Sequence, residues 1–270
     1  MLSYLELIRV WNGLVASFGF LVAAAIAGVG LSFSNTLLLL GVLVVFLQTS
    51  AGNAINDYFD YKIDVVNRPQ RPIPSKRVGL NAARNFGLVL FVLSIAAAYY
   101  LPRAMLGFAI FNALLLLAYS WKLKRTPLGH FIVSWLTASL FLFAAFLTSF
   151  NLLTWIVFGM VFSISMVREI AKGIEDLKGD SLAGAKTLEV SVGKPIASFI
   201  AIVFGALGIV LTFLPFSLGS LKGLYLLFII AADLMVVYSL NILQSKPGQA
   251  QRILKYVMLL TLVAFIAGLY

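Results

Sequence analysis

Residues 35–64 read NTLLLLGVLVVFLQTSAGNAINDYFDYKID. Apolar side chains run with few breaks from Leu37 to Ile55, and the stretch then turns acidic at Asp57, Asp60 and Asp64. A helix needs about 20 apolar residues to cross the hydrocarbon core of a bilayer, so 35–56 is predicted to span it. The acids fall at its end, where a charge costs less than at the centre. Runs of the same kind occupy 11–30, 83–101, 104–120, 131–149, 152–171, 196–215, 223–243 and 253–270, which predicts nine spans.

The whole chain agrees with that reading. Of its 270 residues 61% are hydrophobic and only 11% charged, with a mean hydropathy of +1.02; a soluble domain carries about half apolar and a quarter charged residues. Long continuous runs, rather than alternation, point to an all-α polytopic bundle and not a β-barrel. No polar stretch is long enough for a second domain, so residues 1–270 are expected to form one membrane domain. The opening MLSYLELIRVWNG carries Glu6 and Arg9 and no small-residue cleavage site, so the first run is read as a span and not as a removable signal. The absence of cysteine excludes disulfides, thiolate metal sites and cysteine nucleophiles.

A net charge of +10 is compatible with nucleic-acid binding, but in a membrane protein it usually reflects topology. Of the 20 Lys and Arg, 18 lie at the N-terminus or in the connections after spans 2, 4, 6 and 8. Only Arg103 and Lys222 lie on the opposite side. The positive-inside rule therefore places the N-terminus and these four loops in the cytoplasm and the C-terminus outside.

Seven of the ten acids fall in two short segments, at the ends of the second and sixth spans. The first is 53–64, NAINDYFDYKID; the second is 168–180, REIAKGIEDLKGD. Asp60-x-Lys62-x-Asp64 matches Asp176-x-Lys178-x-Asp180. Residues four apart share a helical face, so Asn56, Asp60 and Asp64 form one polar stripe and Asp176 and Asp180 another. Like charges at that spacing repel, and the stripes call for a cation. Oxygen ligands without Cys or His favour a hard ion, Mg²⁺ above all, which binds through few carboxylates together with substrate phosphates. The simpler alternative is that each acid pairs with a neighbouring Lys or Arg.

The basic complement follows the first stripe in 67–77, NRPQRPIPSKR. Its prolines forbid a helix and predict an extended segment whose Arg68 and Arg71 could clamp a diphosphate. A third connection, 119–125, reads YSWKLKR; Tyr119, Lys122 and Lys124 could reach the leaving group, or serve only as interfacial anchors. Arg9 and Asn12 are further polar candidates at the end of the first span. No nucleotide-binding glycine motif is present, and the sole histidine, His130, is read as an interfacial hydrogen-bonder and not as a base.

The Asn56-x-x-x-Asp60-x-x-x-Asp64 and Asp176-x-x-x-Asp180 motifs, with the intervening Arg-Pro-x-Arg-Pro-Ile-Pro-Ser, resemble the UbiA superfamily of intramembrane prenyltransferases. The resemblance covers essentially the whole chain, and the two motifs together are highly specific. The wording of both segments is most similar to the archaeal branch, which adds a second geranylgeranyl chain to geranylgeranylglyceryl phosphate. The resemblance implies Mg²⁺ held by Asn56, Asp60, Asp64, Asp176 and Asp180, with Arg68, Arg71, Tyr119 and a lysine on the diphosphate. The family's Tyr-x-x-x-Lys element is altered: Leu123 stands at the lysine position, with Lys122 and Lys124 on either side. The expected substrates are a prenyl diphosphate and a lipid-phosphate acceptor, with no nucleic acid and no protein partner.

Two other readings remain open on sequence. One is a relative that prenylates an aromatic quinone or haem precursor. The other is a cation transporter, whose acids would sit near the bilayer midplane; here only Asp233 does, within the eighth span.

Overall fold

A computed structural model describes residues 2–32 and 34–269. Among these the chain is entirely helical, apart from turns and one 3₁₀ turn at Leu123–Arg125. In order the helices are α1 (Leu2–Ile8), α2 (Val10–Ile26), α3 (Thr36–Phe59), α4 (Tyr61–Asn67), α5 (Leu80–Ala98) and α6 (Arg103–Trp121). There follow α7 (Leu128–Ala145), α8 (Leu152–Leu182), α9 (Leu188–Ser217), α10 (Gly223–Ile242) and α11 (Pro247–Leu269).

Eight of these helices are long and apolar enough to cross a membrane, and α1 with α2 forms a ninth candidate bent by 49°. Each run predicted as a span coincides with one of them. In α5, α9 and α10 only a third of the most apolar window is buried by protein, and in α6 only 22%. The remainder exposes large apolar side chains such as Val92, Leu114, Phe199, Val210 and Leu227. So much bare hydrocarbon surface belongs in lipid; this is a multi-pass membrane protein.

Local chemistry sets the helix starts. The Asn35 side chain accepts from the Leu38 N–H at the head of α3, and Asn151 accepts from Thr154 N–H at the head of α8. Both satisfy a donor that the first turn leaves unpaired. Gly193, at φ 79° and ψ 160°, breaks α9 one turn after its start. The predicted span 196–215 is the portion beyond that break.

Contacts divide the chain into two compact units. The first runs to Lys122 and includes Phe146–Thr148; there α3 packs against α1, α2, α5 and α6. Its core gathers Ile8, Ala51, Ile55, Leu90 and Phe91, and a second cluster joins Leu7 and Ala54 to Ile73 and Val78 of the proline-rich loop. Small residues let backbones approach: a Cβ at Gly52 would lie 2.4 Å from Leu116, and one at Gly87 would lie 2.8 Å from Ile55. The second unit holds Leu123–Ala145 and the chain from Ser149 onward; α8 packs against α7, α9 and α11, and α10 against α9 and α11.

Two expectations change here. The proline-rich segment is not helical, as foreseen, but neither is it extended. It folds into consecutive turns, with Arg71 N–H donating to Arg68 O, Ser75 to Arg71 O and Val78 to Pro72 O. Proline fixes φ at a value equally suited to turns, and burial of Ile73 and Val78 selects the compact form. The first span also does not begin cleanly, because Arg9 adopts a left-handed conformation (φ 50°) that separates α1 from α2.

Candidate active site

The polar face of α3 ends at Phe59, and Asp60 forms the joint between α3 and α4. Backbone bonds from Asp60 N–H to Asn56 O and from Asp64 N–H to Asp60 O carry the four-residue spacing through the joint. Asn56 Nδ2 donates to Asp60 Oδ2 at 2.9 Å, so these two side chains lie together as the spacing predicted.

Asp64 is held differently. It is buried in α4 and accepts from Arg71 Nη1 at 2.6 Å. The same Nη1 lies 3.2 Å from Asp57 Oδ1, which also accepts from Arg9 Nη2. Asp57, only 3% exposed, is therefore the hub of a network with two guanidinium groups. Asn53 completes it, accepting from Arg9 Nη1 and donating to Ile8 O at 3.0 Å. A buried carboxylate is tolerable only when paired and hydrogen-bonded, and this arrangement satisfies that condition. It also fixes the left-handed Arg9 turn and ties the proline-rich loop to α3.

Asp57 falls outside the stripe that the four-residue spacing predicts. It lies one residue, about 100°, off the Asn56–Asp60 stripe. Its own signal was present in the sequence: Asn53, Asp57 and Asp64 stand four and seven apart, the spacing of a second helical face.

Farther along, Arg77 forks onto both oxygens of exposed Glu6 and reaches Gln70 O. Hydrogen bonding to Glu6 holds the Arg77 guanidinium above its ordinary value. Arg68 is exposed at the end of α4, and its side chain has no hydrogen bond or ion pair with a described residue. Asn12 is exposed on α2 and is not drawn into the network. Tyr119 is half-buried near the end of α6, Lys122 is exposed just past it, and Lys124 lies in the 3₁₀ turn.

In the second unit, α8 continues for 31 residues, about 46 Å at 1.5 Å per residue. That is longer than the hydrocarbon core of about 30 Å, and the excess carries the second acidic motif. Asp176 is exposed and Asp180 half-buried, one turn apart on one face. Neither makes an ion pair with Lys172, Lys178 or any other described basic residue, so local neutralisation does not account for them. By contrast Glu169 is buried and paired with Arg168 at 2.7 Å. Asp233, also buried, lies 2.8 Å from the Thr212 hydroxyl, whose backbone oxygen accepts from Tyr225. It is an interhelical contact of α9 and α10.

Two residues of this unit escaped the sequence reading as site neighbours. His130 Nε2 lies 2.9 Å from Oε2 of fully buried Glu189, and the Asp180 carboxylate is within electrostatic reach of both. Among the described residues no three His, Asp or Glu side chains converge into a ready-made metal group. The candidate oxygen ligands come as a stripe of three and a pair, a set small enough to suit an ion that completes its shell with phosphate and water.

Comparison with known proteins bears on this arrangement. The digeranylgeranylglyceryl phosphate synthase of Methanopyrus kandleri is 41% identical over 273 residues, covering both chains completely. The enzyme of the same name from Methanosarcina mazei is 39% identical and covers 98% of each chain. A solved structure of digeranylgeranylglyceryl phosphate synthase superposes with a TM-score of 0.83 at 33% identity, covering 99% of this chain and 97% of that one. A UbiA homolog from Archaeoglobus fulgidus, solved with GPP and Mg²⁺, shares the fold at a TM-score of 0.66 and 17% identity, covering 98% of each chain. A model of the UbiA prenyltransferase family matches residues 16–267, and with this extent of likeness the chain belongs to that family.

Proposed function

We propose that the protein transfers a geranylgeranyl group from geranylgeranyl diphosphate to the free hydroxyl of geranylgeranylglyceryl phosphate, forming the second ether of a lipid precursor. The observation that carries the site is the Asp176–Asp180 pair: two like charges one turn apart, without an ion pair to any described Lys or Arg, on a helix that outruns the hydrocarbon core. Full-length similarity to synthases of that name supports the choice of donor and acceptor.

The residues present fit Mg²⁺. Asn56, Asp60, Asp64, Asp176 and Asp180 offer hard oxygen atoms without sulfur or imidazole, and the Asn56–Asp60 bond already sets two of them side by side. Bound there with diphosphate, Mg²⁺ supplies Lewis-acid stabilisation of the charge that develops on the leaving group. Arg71 would add a guanidinium oriented in advance by Asp57 and Asp64, and Arg68 would add an exposed one. Tyr119, with Lys122 or Lys124, would contact the same group, and Arg9 would act through Asp57. As the allylic C–O bond breaks, its electron pair leaves with the diphosphate. The glycerol hydroxyl then bonds to the allylic carbon and gives its proton to the released diphosphate or to an aspartate of the two clusters. The distribution of basic residues supports nine spans with the site at the cytoplasmic face.

The test is an assay in membranes with labelled geranylgeranyl diphosphate and either geranylgeranylglyceryl phosphate or aromatic acceptors. Ether product that disappears with EDTA and returns with Mg²⁺ is expected. Aromatic product alone would replace the acceptor assignment, and no product with any acceptor would overturn the reaction.

A further inference from the structure

Glu189 is fully buried, yet only one of its oxygens is used. Oε2 meets Nε2 of His130 at 2.9 Å; a carboxylate only accepts, so the imidazole donates. Oε1 has neither a protein partner nor solvent. The carboxylate sits in a notch on α8 created by Gly173, where a Cβ would lie 2.4 Å from Cδ and from Oε2. Residues 173, 176 and 180 are three and seven apart, so the notch lies on the α8 face that carries both aspartates, with Asp180 about 10 Å farther along.

The connection from that face back to Glu189 is short and pinned. Ala185 N–H donates to Asp180 O, Lys186 N–H donates to Arg125 O just ahead of α7, and α9 begins at Leu188. Asp180 feels Asp176 and Glu189 as like charges and His130 as an opposing one. A buried polar atom left unmatched is expensive, and no described residue repays it. Packing alone would favour an apolar side chain in that notch.

We infer that His130 and Glu189 are positioning residues for the second aspartate pair: the buried carboxylate, locked into the Gly173 notch by the imidazole, fixes the α8 face and the turn after Asp180 so that the pair is poised for a divalent cation. This rests on Asp176 and Asp180 being cation ligands, as proposed above. Groups that orient metal ligands from behind typically change metal affinity about 10- to 100-fold when removed.

The test titrates the full-length protein in detergent with Mn²⁺ as a spectroscopic stand-in, in the presence of inorganic diphosphate, and reads bound Mn²⁺ by electron paramagnetic resonance. H130A and E189A should each weaken Mn²⁺ binding about tenfold, and H130Q, which keeps a donor, should recover most of it. G173A should reproduce the loss by displacing the carboxylate, yet add little in an E189A background where its methyl fills vacated space. Affinities within twofold of wild type in H130A and E189A, or a G173A loss fully additive with E189A, overturn the inference, as does a wild-type protein without saturable Mn²⁺ binding. Should an alanine variant fail to fold, E189M decides: it fills the notch but offers His130 no acceptor, so weakened binding supports the inference and wild-type binding overturns it. The product assay judges the reaction separately. A wild-type protein that binds Mn²⁺ and diphosphate but makes no ether would defeat the proposed reaction while leaving this inference intact.

Discussion

Asp57 and Asp60 stand three residues apart and do different work. Asp57 is enclosed by Arg9 and Arg71, whereas Asp60 is half-buried at a helix joint beside Asn56. Asp60→Ala, Asp176→Ala and Asp180→Ala should each lower the rate of ether formation by about 100-fold or more, because each removes stabilisation of leaving-group charge. Their thermal unfolding should stay close to wild type; a normal rate in all three would defeat the metal assignment. Asp57→Ala leaves two guanidinium groups around an empty position, and breaking such a buried network costs about 3–5 kcal/mol. Its unfolding midpoint should drop accordingly in a detergent melt, and an unchanged midpoint would show that the network is not structural. The contrast marks a limit of sequence reading. A four-residue spacing identifies residues that share a face, as with Asn56 and Asp60, but not which face meets an arginine 14 positions away. Arg71 could be read as a diphosphate ligand from its charge; its pairing with Asp57 and Asp64 depends on how the proline-rich turns fold.

At the scale of elements, apolar run length was the dependable signal because bilayer thickness imposes it. The runs at 35–56, 83–101 and 104–120 map onto α3, α5 and α6 to within about three residues at each end. What escaped was the bending: the separation of α1 from α2 at Arg9, and the break in α9 at Gly193. Neither is set by hydropathy. Arg9 reaches its left-handed conformation through contacts to Asp57 and Asn53, which lie more than 40 positions away in sequence. At Gly193 the conformation is one that side chains strongly disfavour. Gly193→Ala should therefore destabilise the protein by about 1–3 kcal/mol, although its would-be Cβ would meet nothing closer than Pro195 Cδ at 3.9 Å. The same substitution at Gly179, on the α8 extension and equally unhindered, should be neutral or mildly stabilising, since alanine is the better helix former. Equal effects at both sites, measured by thermal unfolding, would show that backbone conformation is not what sets the break.

For the whole molecule, all-helical architecture and repeated crossing of the membrane were legible from composition and run length, while orientation rests on the 18-to-2 division of basic residues. That asymmetry acts during insertion, so it is a claim about topology that folded contacts do not carry. It is open to a clean measurement because the chain contains no cysteine and every introduced thiol is unique. Lys76→Cys, in the turns after α4, and Arg252→Cys, in the first turns of α11, are exposed or half-exposed positions on the predicted cytoplasmic side. Arg103→Cys, at the start of α6, and Lys222→Cys, just before α10, belong to the predicted outer side. In intact cells a membrane-impermeant maleimide should label the second pair and spare the first. In inverted vesicles the pattern should reverse. Labelling of all four from one side would mean that neither α5 nor α10 crosses the membrane, because α5 alone separates Lys76 from Arg103 and α10 alone separates Lys222 from Arg252. A complete reversal would keep the spans and move both aspartate pairs to the outer face, away from the cytoplasmic side proposed for the site.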